Sequence, residues 1–354
     1  MAVGSITARD VAREAAVSVG TVSRVFNDHA NVAAEIRERV LQAATDLGYS
    51  GLPITRAASE SLSEVGFLFS PVNADTTVAT NPYWSHILAG VEAEARKSSI
   101  KLVYHSINAL RRRPADLVKV VRALRLDGAL LVGPTTPDVV RALQTLAFPL
   151  VQVEDHVPGL GLDAVVTDSF EGAMQATAYL IAEGHREIAF INGPLSGGPR
   201  SHCWLYMVEL RAHGYRAALL DADLPVDYTL LEGSDLTPQG GYDACQRLLT
   251  RDASFSALVC ANDASAVGAI KALREAGRTV PDDVSVIGYG DDTYLATHLT
   301  PALTTVLCDT SLIGMTAVKR LLERAADPGA ASRLTVLGVE LVKRASVRSP
   351  RSGD

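Results

Sequence analysis

From about Val65 onward the chain repeats a single pattern, a short apolar run followed by an amphipathic stretch with helical spacing. The runs are Val65–Phe69, Leu102–Tyr104, Ala129–Val132, Leu150–Val153, Ile188–Ile191, Ala257–Cys260 and Val284–Ile287, and Asp116–Leu124 typifies the spacers. Parallel strands need a long crossover, so strand and helix in alternation dictate parallel sheets with helices on both faces. There are too many such units for one sheet of usual width, and two α/β subdomains are expected. Ligands of such sheets bind beyond the carboxyl ends of the strands.

The first 49 residues are of another kind. Thr7 precedes a helical stretch with Val11, Ala12 and Ala15 at helical spacing, and Ser18 opens Val19–Phe26. A third helix is expected from about Ala34 to Leu47, with Ile36, Val40, Ala44 and Leu47 on one face and Gly48 as its left-handed stop. Two helices joined by a turn of three or four residues describe a helix-turn-helix. Ser18 can cap the second helix, and Thr21 and Ser23 can donate to phosphate oxygens. Val19 and Gly20 would offer a small edge to a thymine methyl, and Arg24 could bridge guanine O6 and N7. A plain three-helix bundle with Val11, Val22 and Val25 as its core fits the periodicity equally well.

With 47% hydrophobic and 21% charged residues in 354, the chain is ordinary globular material with room for two or three domains. Cys203, Cys245, Cys260 and Cys308 form no C-x-x-C pair, which suits a reducing cytosol better than a disulfide or zinc framework. No secretory signal and no long apolar span are present, so a cytoplasmic protein without membrane contact is expected. The formal charge of −7 argues, taken whole, against a phosphate-binding partner. Residues 1–59, however, hold six Arg, no Lys and six acids, so the acidic excess lies entirely in the remainder. A neutral N-terminal segment should bind non-specific DNA weakly and depend on placed contacts.

The order Thr7-Ala8-Arg9-Asp10-Val11-Ala12-Arg13-Glu14-Ala15-Ala16-Val17-Ser18-Val19-Gly20-Thr21-Val22-Ser23-Arg24-Val25-Phe26-Asn27 closely resembles the headpiece of the lactose-repressor/galactose-repressor family of bacterial regulators. Arg37–Leu41 and Leu47-Gly48-Tyr49 resemble its third helix, and Asp163–Asp168, Gly184–Ile191, Ala261–Gly268, Val280–Tyr289 and Pro301–Val306 resemble stretches of its core. The resemblance implies a small all-α helix-turn-helix headpiece (1–50), a hinge (51–62) and an effector-binding, dimerising core (63–348), with a frayed tail (349–354). That core would be α/β and periplasmic-binding-protein-like, with parallel-sheet subdomains of about 63–178 plus 307–335 and 179–305 plus 336–348. It further implies a homodimer on double-stranded operator DNA, controlled by a small effector, with no cofactor or metal. The DNA-contacting set would be Thr7, Ser18, Val19, Gly20, Thr21, Ser23, Arg24, Asn27 and Tyr49, joined by Ile54 and Ala58 from the hinge.

For the effector the resemblance singles out Tyr83 and Trp84, Glu154, Arg211, Asn262 and Asp291. Trp84 could instead pack its helix with Ile87, Leu88 and Val91. Glu154 could accept sugar hydroxyls or form a surface ion pair. Arg211 could grip hydroxyls or a carboxylate bidentately, although the segment from Gly193 to Arg211 is longer than the family's. Asp263 is expected to cap the helix that follows Asn262. Leu236 replaces an aromatic of several relatives, which favours a sugar or sugar acid over a purine.

The hinge departs from the pattern. The family's minor-groove Leu is matched by Ala58, and Pro53 stands where a short helix would start, leaving Ile54 or Leu62 to take over the apolar contact. Ala33 replaces a capping Ser. Two other classes stay open. An α/β enzyme is suggested by Glu154 with Asp155 and Asp291 with Asp292, but H-E-x-x-H, G-x-S-x-G and P-loop motifs are missing. A cytosolic solute-binding module would use the N-terminal helices for protein contacts alone.

Overall fold

In a computed structural model of the chain, the described residues are 7–26, 32–47, 62–72, 77–194, 205–251 and 254–350, with the side chain of Thr45 set aside. The chain divides into two compact units, 1–61 and 62–354.

The first unit holds α1 (Ala8–Glu14), α2 (Val19–Phe26) and α3 (Ala34–Asp46). Asp10 starts α1 by accepting from the Thr7 amide at 3.0 Å and its hydroxyl at 2.6 Å. Ala16 then turns the chain at φ +51°, and the Val17 amide reaches back to the Ala12 carbonyl at 2.9 Å. Ser18 Oγ accepts from the Thr21 amide at 3.0 Å and so caps α2. At the head of α3, Ala33 offers only its carbonyl, to the amides of Ile36 and Arg37. Val11, Ala15, Val22, Val25 and Val40 form the buried centre that holds the three helices.

The second unit begins β1 (Glu64–Phe69), α4 (Pro82–Lys97), β2 (Lys101–Ser106), α5 (Pro114–Ala123), β3 (Gly128–Val132), α6 (Pro137–Gln144), β4 (Leu150–Val153) and β5 (Asp163–Thr167). It continues with α7 (Ser169–Ala182), β6 (Ile188–Asn192), α8 (Tyr206–Asp221), β7 (Leu231–Gly233), α9 (Pro238–Thr250), β8 (Ala257–Cys260), α10 (Asp263–Glu275) and β9 (Ser285–Gly290). It closes with α11 (Thr293–His298), β10 (Thr304–Leu307), α12 (Thr310–Ala326), β11 (Leu334–Leu337) and β12 (Glu340–Val342). Two six-stranded sheets result, in the orders β11-β5-β4-β3-β1-β2 and β12-β10-β9-β8-β6-β7. Every pairing is parallel except β10 with β12. The central strands are buried throughout, as sheets covered on both faces require.

The chain crosses between the sheets after β5, β10 and β11. Helix α7 packs on α8, with the second sheet, so the first crossing falls near Asp168 rather than at 178. The last falls after Leu337, not at 335. Leu62, assigned above to the hinge as a possible DNA wedge, is 7% exposed and belongs to the apolar core beneath β1, which removes it from that role. Ser349 Oγ reaches Glu183 at 3.2 Å and Pro350 packs beside Gly184, so the tail is anchored through residue 350.

Glycines let the covering helices approach in pairs. Gly90 of α4 lies against the backbone of Ser311 and Gly314 of α12 against that of Ile87 and Val91. Gly241 of α9 meets Ser265, and Gly268 of α10 meets Pro238 and Tyr242. Among the described residues no helix is long and apolar enough to cross a membrane.

Candidate functional site

Helix α2 is two-sided. Val22 and Val25 face the headpiece core, while Ser18, Gly20 and Arg24 are exposed along one edge. Val19, Thr21 and Ser23 are half-buried, and Val19 packs partly on that core. The Thr21 hydroxyl pairs with Ser18 Oγ at 2.8 Å, and Thr7 is exposed but committed to Asp10. Asn27, Tyr49, Ile54 and Ala58 lie outside the described residues, as does Pro53.

In the second unit a cavity of about 1000 Å³ opens between the two sheets. It lies beyond the carboxyl ends of β4, β9 and β10, where Glu154, Asp291 and Cys308 line it. The first turns of α4, α8, α9, α10, α11 and α12 converge on it. Tyr83, Trp84, Glu154, Arg211, Asn262 and Asp291 all line this one cavity.

Their polar atoms are differently committed. Glu154 is 6% exposed and not a surface group. It accepts from the Tyr83 hydroxyl, from the Thr167 amide at 2.8 Å and from the Thr167 hydroxyl at 3.3 Å. Burial raises its pKa against these donors and nearby Arg211, and the same burial, with Glu154 beside it, raises Tyr83 well above its ordinary value. Trp84 is 9% exposed and packs edge-on to Phe69 and Tyr83, at 5.6 and 5.2 Å between ring centres. Ile87 and Val91 share its cluster and Leu88 packs against it, so Trp84 is chiefly a core residue with one edge on the cavity.

Arg211 is 8% exposed. Its Nε donates to Ser169 Oγ at 3.2 Å, one terminal nitrogen donates to the Ala261 carbonyl at 2.7 Å, and its plane lies 3.9 Å from the Tyr289 ring centre. Two of the fork's three nitrogens are thus held by the protein, and the second terminal nitrogen is the part left to meet a ligand.

The capping roles of Asn262 and Asp263 are exchanged relative to the expectation. Asn262 Oδ1 accepts from the Ser265 amide at 2.9 Å and is the N-cap of α10, while its amide donates to the Leu236 carbonyl at 2.8 Å. Asp263 is instead buried, accepting from the Thr305 hydroxyl at 2.6 Å and the Asp292 amide at 2.7 Å. Burial, with Asp291 and Asp292 nearby, holds it at about 6. Asp291, expected to present its carboxylate to a ligand, pairs with Arg344 at 2.7 Å. Glu154 and Asp291 both adopt left-handed backbone, at φ +55° and +47°, where each strand end turns into the cavity.

Asp155 was not singled out by sequence as a ligand residue, yet it lines the cavity and burial holds it at about 6, despite donation from the Thr135 amide and hydroxyl. Tyr289, stacked under Arg211, and Asp263 were likewise missed. The only signal was their position one or two residues from a strand end or helix start. No group of three or more His, Cys, Asp or Glu among the described residues is arranged to hold a metal ion.

Residues 7–51 match the model of the bacterial regulatory proteins of the lacI family, and residues 177–347 that of a periplasmic binding protein-like domain. The ribose operon repressor of Haemophilus influenzae is 30% identical over 97% of this chain and 99% of its own length. The solved transcriptional regulator CelR with cellobiose matches at a TM-score of 0.73 and 30% identity, over 97% of this chain and 100% of the other. The lac repressor dimer bound to operator and the anti-inducer ONPF matches at 0.69 and 26%, over 98% and 100%.

Proposed function

This chain belongs to the lacI family of bacterial regulatory proteins, and on that premise we propose that it is a transcriptional repressor whose hold on operator DNA changes when a small carbohydrate enters the cleft. The observation that carries this reading is the union, in one chain, of a helix-turn-helix with an exposed Ser18–Gly20–Arg24 edge and a ligand-sized cavity between two lobes. The protein acts as a homodimer in the cytoplasm, each headpiece entering one half-site of a pseudo-palindrome. Arg24 reads a base edge, and Ser18, Thr21 and Ser23 sit against phosphates.

Effector contact is assigned to Tyr83, Glu154, Arg211, Asn262 and Asp291, with Trp84 giving an apolar edge. Three crossing segments form the hinge between lobes, so closure around a ligand is a rigid-body change of the kind that couples separate sites. Tyr83 stands on the first lobe and also packs on the core of the second, which makes it sensitive to that closure.

Selection of bound duplexes from random DNA by the full-length protein, followed by binding at several salt concentrations, tests the reading. A pseudo-palindromic consensus whose affinity shifts with a carbohydrate is expected. Binding without sequence preference, or insensitive to salt, would overturn it.

A further inference from the structure

The cleft has an unusual charge arrangement. Seven carboxylates line it, from Glu154 and Asp155 on the first lobe to Asp263 on the second, against one guanidinium among the described lining residues. Arg344 offsets one of the seven, at Asp291. The single guanidinium, Arg211, holds protein acceptors at two of its nitrogens and stacks on Tyr289.

Helix N-termini are the other device by which α/β proteins hold anions. Four of the six that open on this cavity are closed by their own side chains. Thr237 accepts from Gly240, Asn262 from Ser265, Asp292 from Tyr294 and Leu295, and Asp309 from Leu312. The remaining two have no side-chain cap, but α4 opens with Pro82, which removes one amide, and α8 carries the negative charge of Glu209 in its first turn. Meanwhile Trp84, Met207, Val208 and Leu236 give the wall apolar patches suited to the C–H face of a sugar ring.

We infer that the cleft is built for a ligand rich in hydrogen-bond donors and free of negative charge, an uncharged or amine-bearing carbohydrate, and that it rejects sugar acids and sugar phosphates. The inference rests on the reading of this cavity as the effector site. It narrows the sugar-or-sugar-acid expectation to one side. Carboxylates accept from hydroxyl and ammonium groups, whereas an anion here meets seven carboxylates, offset among the described lining residues chiefly by the remaining nitrogen of Arg211 and the uncapped starts of α4 and α8.

The test is calorimetric titration and thermal shift of the full-length protein with charge-matched series on three scaffolds. Glucose, glucosamine, glucuronate and glucose 6-phosphate form the first, and the galacto and ribo counterparts form the others. On whichever scaffold binds, the neutral or amino member should bind at least ~10-fold tighter than its acid or phosphate. An acid or phosphate that equals or exceeds its neutral counterpart overturns the inference while leaving the sensor reading intact. Absence of binding by every member counts against the cleft as a carbohydrate sensor, and the inference falls with it.

Discussion

Gly268→Ala puts the packing of the cleft walls to a quantitative test. A Cβ on Gly268 would lie 2.6 Å from the Tyr242 amide nitrogen and closer still to the Pro238 carbonyl oxygen, both backbone atoms of α9. Neither can rotate away, so α9 and α10 must separate. In a mid-helix position Ala is favoured over Gly by about 1 kcal/mol. Overpacking a tight contact costs about 1–3 kcal/mol, and an obstacle made of backbone belongs at the upper end. The net expectation is destabilisation of about 2 kcal/mol, or a fall in melting temperature of roughly 3 °C for a unit of this size. Differential scanning calorimetry and urea unfolding of the full chain measure it. Gly338→Ala is the control, because nothing lies within 4 Å of its Cβ position and it should change little. If Gly268→Ala melts with or above the parent, the close approach of α9 and α10 is not a constraint and the reasoning is wrong.

Three further outcomes are expected. Arg24→Ala should flatten discrimination at one base position of each half-site by about 1–3 kcal/mol in competition binding, and unchanged selectivity would remove Arg24 from base readout. Ala33→Ser restores a side-chain acceptor at the head of α3 and should stabilise the headpiece by about 1 kcal/mol, slowing amide exchange in α3 roughly fivefold. Asp155 is held at about 6 in the folded state. A folded pKa above the unfolded value gives stability present at low pH and lost as pH rises through about 6. Relative to the parent, Asp155→Asn should therefore gain stability between about pH 4 and pH 7, by roughly 2–3 kcal/mol at the limit. Parallel stability–pH curves would contradict that origin for the shift.

The architecture was legible where it is dictated by period. The continuous apolar runs are the buried central strands, because a strand covered on both faces has no polar side to show. The peripheral strands escaped. Along β11, Leu334 and Val336 are 43% and 49% exposed, so their alternation carries no burial signal. Strand β7 has only three residues and β12 antiparallel pairing, which the alternation did not announce. The candidate site was legible in position, since strand ends and helix starts can be read locally. Commitments made at long range could not be. The Asp291–Arg344 pair and the Arg211–Tyr289 stack join segments distant in sequence, and no local rule distinguishes Asn262 from Asp263 as the cap.

The cavity is ringed by helix starts, and this has a consequence for how its selectivity can drift. Thr237, Asn262, Asp292 and Asp309 each stand at a cap, where Ser, Thr, Asn and Asp are nearly interchangeable in stability. Replacing one by another alters charge and donor pattern at the ligand for less than about 1 kcal/mol, whereas emptying the core behind it costs about 2–5 kcal/mol. Descendants of this scaffold can therefore exchange one effector for another through a few cap substitutions while their interiors stay unchanged.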